Sequence, residues 1–391
     1  MRVTFFTDSF APTHDGVSQI LDPLGAALVR RGVDLRVVTV RLPGTPRFDR
    51  RPDGVVVYRA RSVPLPNYRQ YRVALFPYAV GVGRPELRQS DVLHLHTPGP
   101  VGLAGEQAAR RWGTPTVGTF HTNLEGMFLA SPHGRLRRRL DRSWIRFARG
   151  LCLRATVASA PTLVAARELT EELPADEGRR VRVVGNGVDT HRFRPGANDP
   201  DWRARLGTGD RPLVTYVGRL TRDKGIAVLL DAIARIPPSL DATFVIAGDG
   251  PERANLLRRL ATDTTLRRRV RYLGPVAEAE KPALLAQSHL FVLPSVADTS
   301  SVAVLEAMAC GVAPVVTDRG GPAEIVADGE TGTTVDPEDP VAIADAISGR
   351  LTDRAGTLRR AVHARRWVEE HASIERTADE YLTLYSELVR G

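Results

Sequence analysis

The chain has 391 residues, of which 42% are hydrophobic and 25% charged, and a net charge of +9. That length suggests two domains, and the composition is that of an ordinary globular protein. No apolar run approaches the ~20 residues of a membrane span, and the N-terminus enters a strand with no signal-like segment, so a cytoplasmic protein is expected. The two cysteines, Cys152 and Cys310, lie in apolar helical surroundings, where buried thiols are commoner than bridges or metal ligands.

The first ten residues hold a buried-type strand, Val3–Phe6, and a turn. A loop to about Gly16, a helix to about Arg31 stopped by Gly32, and a strand at Leu35–Val40 come next. This β-loop-helix-β start lacks the G-x-G-x-x-G of dinucleotide sites, and on its own Gly16 reads as a turn glycine. Residues 41–90, rich in Pro and Arg, read as an excursion with one or two short strands, Val55–Tyr58 among them. Strands VLHLH (92–96) and PTVGTF (115–120) bracket a helix over about Val101–Trp112. His121 follows directly at a strand's C-terminal end, the edge where open α/β sheets bind ligands. His94 and His96 alternate along their strand, and one of them reads as a satisfied interior residue.

Residues 135–154 carry eight arginines against one acid, Asp141. Leu136, Leu140, Trp144, Phe147 and Leu151 recur at helical spacing, a continuous apolar stripe with arginines over the remainder. Such a helix packs its stripe on its own domain, lies on an anionic membrane or grips an anionic acceptor, the first being the ordinary case. No nucleic-acid-binding motif accompanies the charge, so nucleic acid is not expected as a partner.

Strand ATVASA (155–160), a helix opened by Pro161 and strand VRVVG (181–185) complete the first half, and polar, turn-rich residues 196–211 read as a linker. The pattern then restarts with strand LVTYVG (213–218), loop RLTRDKG and a helix from about Ile226. Arg219 and Lys224 share one loop after a strand, placed to clamp a diphosphate from the sheet's carboxyl edge, although exposed basic residues in loops are common. FVIAGDGPE (244–252) runs from a strand through a glycine-rich turn at Gly248 into a helix.

Residues 290–317 give strand Leu290–Leu293, a polar loop, a helix to Cys310 stopped by Gly311, and strand Ala313–Thr317. Asp298 on the loop and Glu306 in the helix have seven residues between them, and each carboxylate can accept from neighbouring ligand hydroxyls. Backbone N–H groups of Thr299, Ser300, Ser301 and Val302 at the helix start suit phosphate or sugar oxygens. An N-cap-like Asp298 and an ordinary helix acid at Glu306 explain the same spacing. After this come a glycine-hinged turn (DRGGPAEIV), a last short strand in TGTTV (331–335), helices over 339–370, a break at His371–Ser373, and a final helix with Tyr381, Leu382, Tyr385 and Leu388 on its apolar positions.

PSVADTSSVAVLEAMACGVAPVV resembles the E-x7-E signature of retaining glycosyltransferases of family 4, with Asp298 where Glu is usual and Ser300-Ser301 where Phe-Gly is usual. TFHTNLEGM resembles that family's TxHT turn, VGRLTRDKG its G-R-x-x-x-x-K-G, and FVIAGDGPE its G-D-G-P turn. TDSFAPTHDGVSQ resembles the N-terminal loop of members that act on glycerolipids or mannosylate glycolipids. GNGVDTHRFRP (185–195) is similar to the interdomain segment, and RYLGPVAEAEKPALL (271–285) to the loop and helix bracketing the nucleotide base.

The resemblance, spanning nearly the whole chain, implies an α/β fold of two Rossmann-like domains facing across a cleft, the GT-B arrangement. Residues 1–190 would form the acceptor domain and 191–373 the donor domain, with helix 374–391 packing back on the first. It implies roles as well: Gly16 lets backbone approach the donor diphosphate, Arg219 and Lys224 neutralise the leaving nucleotide, and Gly248 lies near the phosphates. Val276 meets the base through its backbone, Asp298 lies against sugar hydroxyls, Glu306 holds the ribose, and His121 stands by sugar and acceptor. The implied reaction moves a hexosyl group from a UDP- or GDP-sugar to a hydroxyl of a lipid or small molecule, with retention and an α-linkage, and no cofactor or metal ion is expected. An anionic membrane surface at 135–154 is a further possible partner, which would make the protein peripheral on the inner face. Two other readings stand: an enzyme of secondary metabolism with a small soluble acceptor, and a non-catalytic nucleotide-sugar-binding protein.

Overall fold

The structure, a computed structural model, describes residues 1–13, 15–65, 68–75, 83–121, 135–171 and 181–390, without the side chains of 65, 68–71 and 135–140. The chain forms two compact units, Met1–Gly187 together with Ile374–Gly391, and Val188–Ser373.

In the first unit, β1 (Arg2–Phe6) leads through α1 (Gly16–Arg30) to β2 (Asp34–Val40). Asp15 starts α1 with a capping box, accepting from the N–H of Val17 and Ser18 while Ser18 Oγ accepts from the N–H of Asp15. Gly32, at φ +81°, supplies the left-handed residue that ends the turn after it. The chain continues with β3 (Phe48–Arg50), β4 (Val56–Ala60), the β5–β6 hairpin (Ser62–Leu65, Tyr68–Ala74), β7 (Val92–Leu95), α2 (Pro100–Trp112), β8 (Thr116–Thr119), α3 (Arg135–Leu153), β9 (Val157–Ala160), α4 (Leu163–Thr170) and β10 (Arg182–Val183). The main sheet runs β10-β9-β8-β7-β1-β2-β4-β3, parallel throughout except for β3, which lies antiparallel on the edge.

Alternation along β1 divides the core. Phe5 packs with Leu21, Leu24 and Leu28 of α1 and with Tyr381 and Tyr385 of the C-terminal helix (Ile374–Arg390). Phe6 points to the opposite face, with Leu93, Leu95 and Val101. Burial of each such side chain stabilises by roughly 1.5–3 kcal/mol. The C-terminal helix is fixed to the end of α1 by Arg31, which pairs with both Glu375 and Asp379.

Three expectations are corrected here. Among the described residues, 41–90 contain four strands rather than one or two, because β3 is short and polar and the β5–β6 hairpin, with Pro64 in one strand and three polar residues interleaved in the other, carries no clean alternation that marks it. Helix α4 begins at Leu163, with Thr162 rather than Pro161 shaping its start by accepting from the N–H of Ala165. In α3 the buried face is Ile145, Ala148, Leu151 and Cys152, while Trp144 and Phe147 remain 38% and 37% exposed. The packing of α3 on β8 fixes which face is inside: Cys152 Sγ donates to the Gly118 carbonyl at 3.1 Å, and the Cys152 backbone lies so close to Gly118 that a side chain there would collide with it. The side chains of Leu136 and Leu140 lie outside the described residues.

The second unit repeats the architecture. Its strands are β11 (Leu213–Val217), β12 (Thr243–Ala247), β13 (Val270–Gly274), β14 (Leu290–Leu293), β15 (Ala313–Thr317) and β16 (Thr333–Val335), all parallel in the order β13-β12-β11-β14-β15-β16. Its helices are α5 (Trp202–Leu206), α6 (Ile226–Arg235), α7 (Arg253–Thr262), α8 (Thr264–Arg269), α9 (Lys281–Ala286), α10 (Val302–Ala309), α11 (Gly320–Ile325), α12 (Pro340–Thr352) and α13 (Arg354–His371). Near-continuous apolar strands such as LFVL and APVVT, buried on every residue, are what a parallel sheet covered on both faces requires. The loops after these strands therefore emerge together at one edge, and most of the candidate residues sit there.

Candidate functional site

Beyond β11, the buried Tyr216 hydroxyl donates to the Arg219 carbonyl at 2.7 Å, fixing the turn while the Arg219 side chain stands exposed. One 3₁₀ turn, Arg222–Lys224, ends at Gly225, whose φ of +69° and close approach to the Pro294 carbonyl exclude a side chain. The loop after β14 is thereby joined to this one. Val296 N–H donates to the Asp223 carbonyl at 2.8 Å, and Ser295 Oγ to the same carbonyl at 3.1 Å. On that joined backbone Lys224 Nζ meets Asp298 Oδ2 at 2.7 Å, the two side chains 13% and 12% exposed. From the other side Gly321 N–H donates to the Asp298 carbonyl at 2.8 Å, and a side chain at Gly320 or Gly321 would collide with backbone of residues 298–300.

Thr299 and Ser301 are buried and Ser300 half-buried, and Ser301 is the N-cap of α10 without a side-chain capping bond. Glu306, about one turn into α10, is buried; its Oε1 meets Lys281 Nζ of α9 at 2.8 Å, and its Oε2 has no partner. Lys281 also reaches Glu278 at 3.0 Å. Burial lifts the Glu306 carboxyl above its ordinary range, with Lys281 drawing it back part of the way. Burial works against the Lys281 charge, but Glu306 and Glu278 outweigh it and hold the ammonium above the usual lysine range.

Gly248 is required by the fold itself. At φ +141° it presses on the Gly218 carbonyl, and its N–H donates to the Gly274 carbonyl at 2.8 Å, so packing where the ends of β11, β12 and β13 meet accounts for the glycine. Val276 is half-buried and packs against the cluster of Trp202, Leu213, Ala283 and Leu284.

His121 and Gly16 belong to the first unit. Gly16 opens α1, and no internal contact demands a glycine there, since a Cβ would meet nothing within 4 Å. His121 Nε2 lies 3.0 Å from His96 Nδ1. The neighbouring His94 is held by the Tyr385 hydroxyl at Nδ1 and by Thr119 Oγ1 at Nε2, both at 2.6 Å, and its ring lies 3.7 Å from that of His96. Burial lowers His121 to about 4 and depresses His94 and His96 well below the ordinary histidine value. At neutral pH, then, His121 presents a polar imidazole and not a positive charge. Residues 122–127 of the TFHTNLEGM motif lie outside the described residues. Among the described residues, no group of three His, Cys, Asp or Glu is placed to hold a metal ion.

Three participants escaped the sequence reading. Lys281, one of only two lysines in the chain, falls in a segment whose sequence singles out no charged residue. The alternation of His94 and His96 left open which of them is interior, and gave no sign of the link between His96 and His121. Asp8, just beyond β1, accepts from Thr97 Oγ1 at 2.6 Å and from the Val101 N–H at 3.1 Å, and burial raises it to about 6 against those bonds. No local pattern around Asp8 foretells that pairing.

Comparison with known proteins identifies the family and the fold. The family model described as Glycosyltransferase Family 4 matches residues 14–192, and the one described as Glycosyl transferases group 1 matches residues 211–353. The chain is 33% identical over 380 residues to a GDP-mannose-dependent alpha-mannosyltransferase of Mycolicibacterium smegmatis, covering 94% of each. It is 30% identical to a GDP-mannose-dependent alpha-(1-6)-phosphatidylinositol monomannoside mannosyltransferase of the same organism, covering 92% of each. In fold it is similar to sucrose-phosphate synthase from Thermosynechococcus elongatus, with a TM-score of 0.80 at 21% identity over 99% of this chain and 98% of that one. Matched along nearly its whole length, and carrying the two spaced acids on a doubly repeated α/β frame, the chain belongs to glycosyltransferase family 4: a hexosyltransferase of GT-B fold that uses a nucleotide sugar.

Proposed function

We propose that the chain is a GDP-mannose-dependent α-mannosyltransferase acting with retention on an acceptor hydroxyl. The observation that carries this reading is the 33% identity, over 94% of both chains, to a GDP-mannose-dependent alpha-mannosyltransferase. The paired loops of the second unit supply the chemistry. Arg219 and Lys224 offer the positive charge that a departing diphosphate needs, and preorganised charge of this kind is usually the largest contribution to such a rate. Asp298 orients the sugar hydroxyls, Glu306 takes the ribose, Thr299 to Ser301 border the phosphates, and Val276 meets the base. Gly248 serves by shaping the edge of the sheet and Gly16 by leaving space at the start of α1.

In the reaction the C1–O bond to the β-phosphate breaks, and the acceptor oxygen bonds to C1 on the same face. The acceptor proton passes to a β-phosphate oxygen, and GDP leaves. His121, neutral by burial, contributes polar support and does not supply a cation. The positive charge met by the leaving group comes from Arg219 and Lys224.

The acceptor we infer is a lipid-linked hydroxyl at an anionic bilayer. Exposed Trp144 and Phe147, with ring centroids 5.5 Å apart, stand among exposed Arg142, Arg146 and Arg154, a combination suited to an anionic interface. Among the described residues no helix is long and apolar enough to cross a membrane. The test is turnover of GDP-[1-¹³C]mannose, followed by NMR of the product anomer, with vesicles containing or lacking anionic glycolipid and with soluble polyols. An α-mannoside formed on vesicles supports the reading; an α-mannoside formed on polyols alone would move the enzyme to small soluble acceptors. A β-product, or transfer from UDP-sugars only, contradicts it, and no transfer at all would favour a non-catalytic binding protein.

A further inference from the structure

The sequence contains 52 arginines and two lysines, and the two lysines are the partners of the two spaced acids: Lys224 of Asp298 and Lys281 of Glu306. The first lysine has a ready reason in the diphosphate. The second lies at a position to which the donor reading gives no task.

Three features of Lys281 bear on its role. It is enclosed, with its side chain and that of Glu306 each 4% exposed. Its ammonium lies 2.8 Å from Glu306 Oε1 and 3.0 Å from Glu278, and 5.6 Å from the centre of the Phe193 ring. And it leaves Glu306 Oε2 buried without a partner. A purely structural buried ion pair satisfies both carboxylate oxygens, because a bare one costs the desolvation of a charged acceptor. This pair leaves one oxygen open, in a helix beside the loop that carries Asp298. A compact ammonium suits such a place; a guanidinium would bring five N–H donors into a space with acceptors for few of them.

We propose that Lys281 is a positioning residue for the donor's ribose: its ammonium fixes one oxygen of Glu306 and leaves the other, Oε2, to accept a ribose hydroxyl. The inference rests on the reading of Glu306 as the ribose carboxylate. Without the ammonium, a carboxyl so enclosed takes up a proton more readily and becomes a poorer acceptor. Removal of Lys281 therefore acts on donor affinity through the ribose hydroxyls, and the loss is greatest at low pH.

Two experiments test this. With only two lysines, a protein carrying [¹³Cε]lysine gives two side-chain NMR signals, assigned with Lys281→Arg. GDP and UDP, each in ribose and 2′,3′-dideoxy form, are titrated into the native protein, so that the identity of the base does not decide the outcome. The Lys281 signal is expected to move with the ribonucleotide and not with its dideoxy analogue, while the Lys224 signal moves with both. In calorimetry the native protein is expected to prefer the ribonucleotide by about ten-fold or more, as a hydrogen bond to a charged group implies. Lys281→Met is expected to lose most of that preference at pH 6 and regain part of it at pH 9. A Lys281 signal unmoved by a ribonucleotide that binds with the expected preference overturns the proposal and leaves the ribose reading intact. Equal affinity of the native protein for ribose and dideoxy forms overturns the ribose reading, and the proposal with it.

Discussion

Two lysine–carboxylate pairs of nearly equal length occupy the second unit at different depths. Lys224–Asp298, at 2.7 Å, joins two surface loops with its side chains 13% and 12% exposed; Lys281–Glu306, at 2.8 Å, joins two helices with both side chains 4% exposed. Bond length alone would make them equivalent. Depth separates them, because water near the first pair can take over from either partner, while in the second Lys281 would keep Glu278 but Glu306 would have no counter-charge to replace Lys281. The shallow pair is thus suited to exchange, Lys224 turning to an arriving diphosphate. The deep pair is suited to hold one geometry throughout.

Stability gives the sharpest contrast. Lys281→Met leaves Glu306 buried without its counter-charge and is expected to cost about 3 kcal/mol or more in urea unfolding, whereas Lys224→Met is expected to cost at most about 1 kcal/mol. Equal losses would break the distinction between the pairs. Activity should invert the order. At saturating donor, Lys224→Ala or Arg219→Ala is expected to lower kcat by roughly 10²–10³-fold, while Lys281→Met acts mainly on donor KM. A kcat for Lys224→Ala within a few-fold of native would mean that the shallow pair is an ordinary surface contact.

The histidines of the first unit extend the theme of depth to pH. His94, His96 and His121 are all depressed by burial, so the unfolded chain binds more protons between the ordinary histidine value near 6.5 and their folded values. The contribution of these histidines to stability is therefore complete above about pH 6.5 and is lost as pH drops toward 4, against the opposite contribution of the raised Asp8 and Glu306 carboxyls, and thermal unfolding across that range measures the balance. Tyr385→Phe, which removes the hydroxyl at His94 Nδ1, should lower stability by about 1 kcal/mol at neutral pH. The smallest effect belongs to the surface of α3. Trp144→Ala should change stability by less than about 0.5 kcal/mol yet weaken sedimentation with anionic vesicles; unchanged sedimentation removes the bilayer from the account.

How much of this was legible in the sequence follows the range of the signal. Strand and helix placement through the second unit could be read because LVTYV, FVIA, LFVL and APVVT are largely apolar runs, the first two closed directly by Gly218 and Gly248 and the others by Pro294-Ser295 and Asp318-Arg319-Gly320. The excursion at 41–90 could not, since FDR and SVPL are strands only by virtue of their neighbours. The stripe on α3 departs from the periodic reading for a related reason: periodicity counts Trp144 and Phe147 with Leu151 as core, but the face that packs is the one carrying Ile145, Ala148 and Cys152, with Cys152 closest to Gly118. The acids Asp298 and Glu306 were visible from spacing, while their lysine partners lie 74 residues upstream in one case and 25 in the other, distances over which a sequence carries no local pattern. Gly248 shows the converse, a motif glycine whose conformation is explained by a neighbouring carbonyl before any ligand is considered.

The measurement that bears most directly on the central claim is calorimetric titration of the native protein with GDP-mannose, GDP-glucose, UDP-glucose and UDP-N-acetylglucosamine. The account predicts binding of GDP-mannose at least about ten-fold tighter than either UDP-sugar, with affinity for GDP- and UDP-sugars alike falling in Glu306→Ala because the ribose is common to both. Tighter binding of a UDP-sugar, or GDP-mannose affinity unaffected by Glu306→Ala, would contradict it.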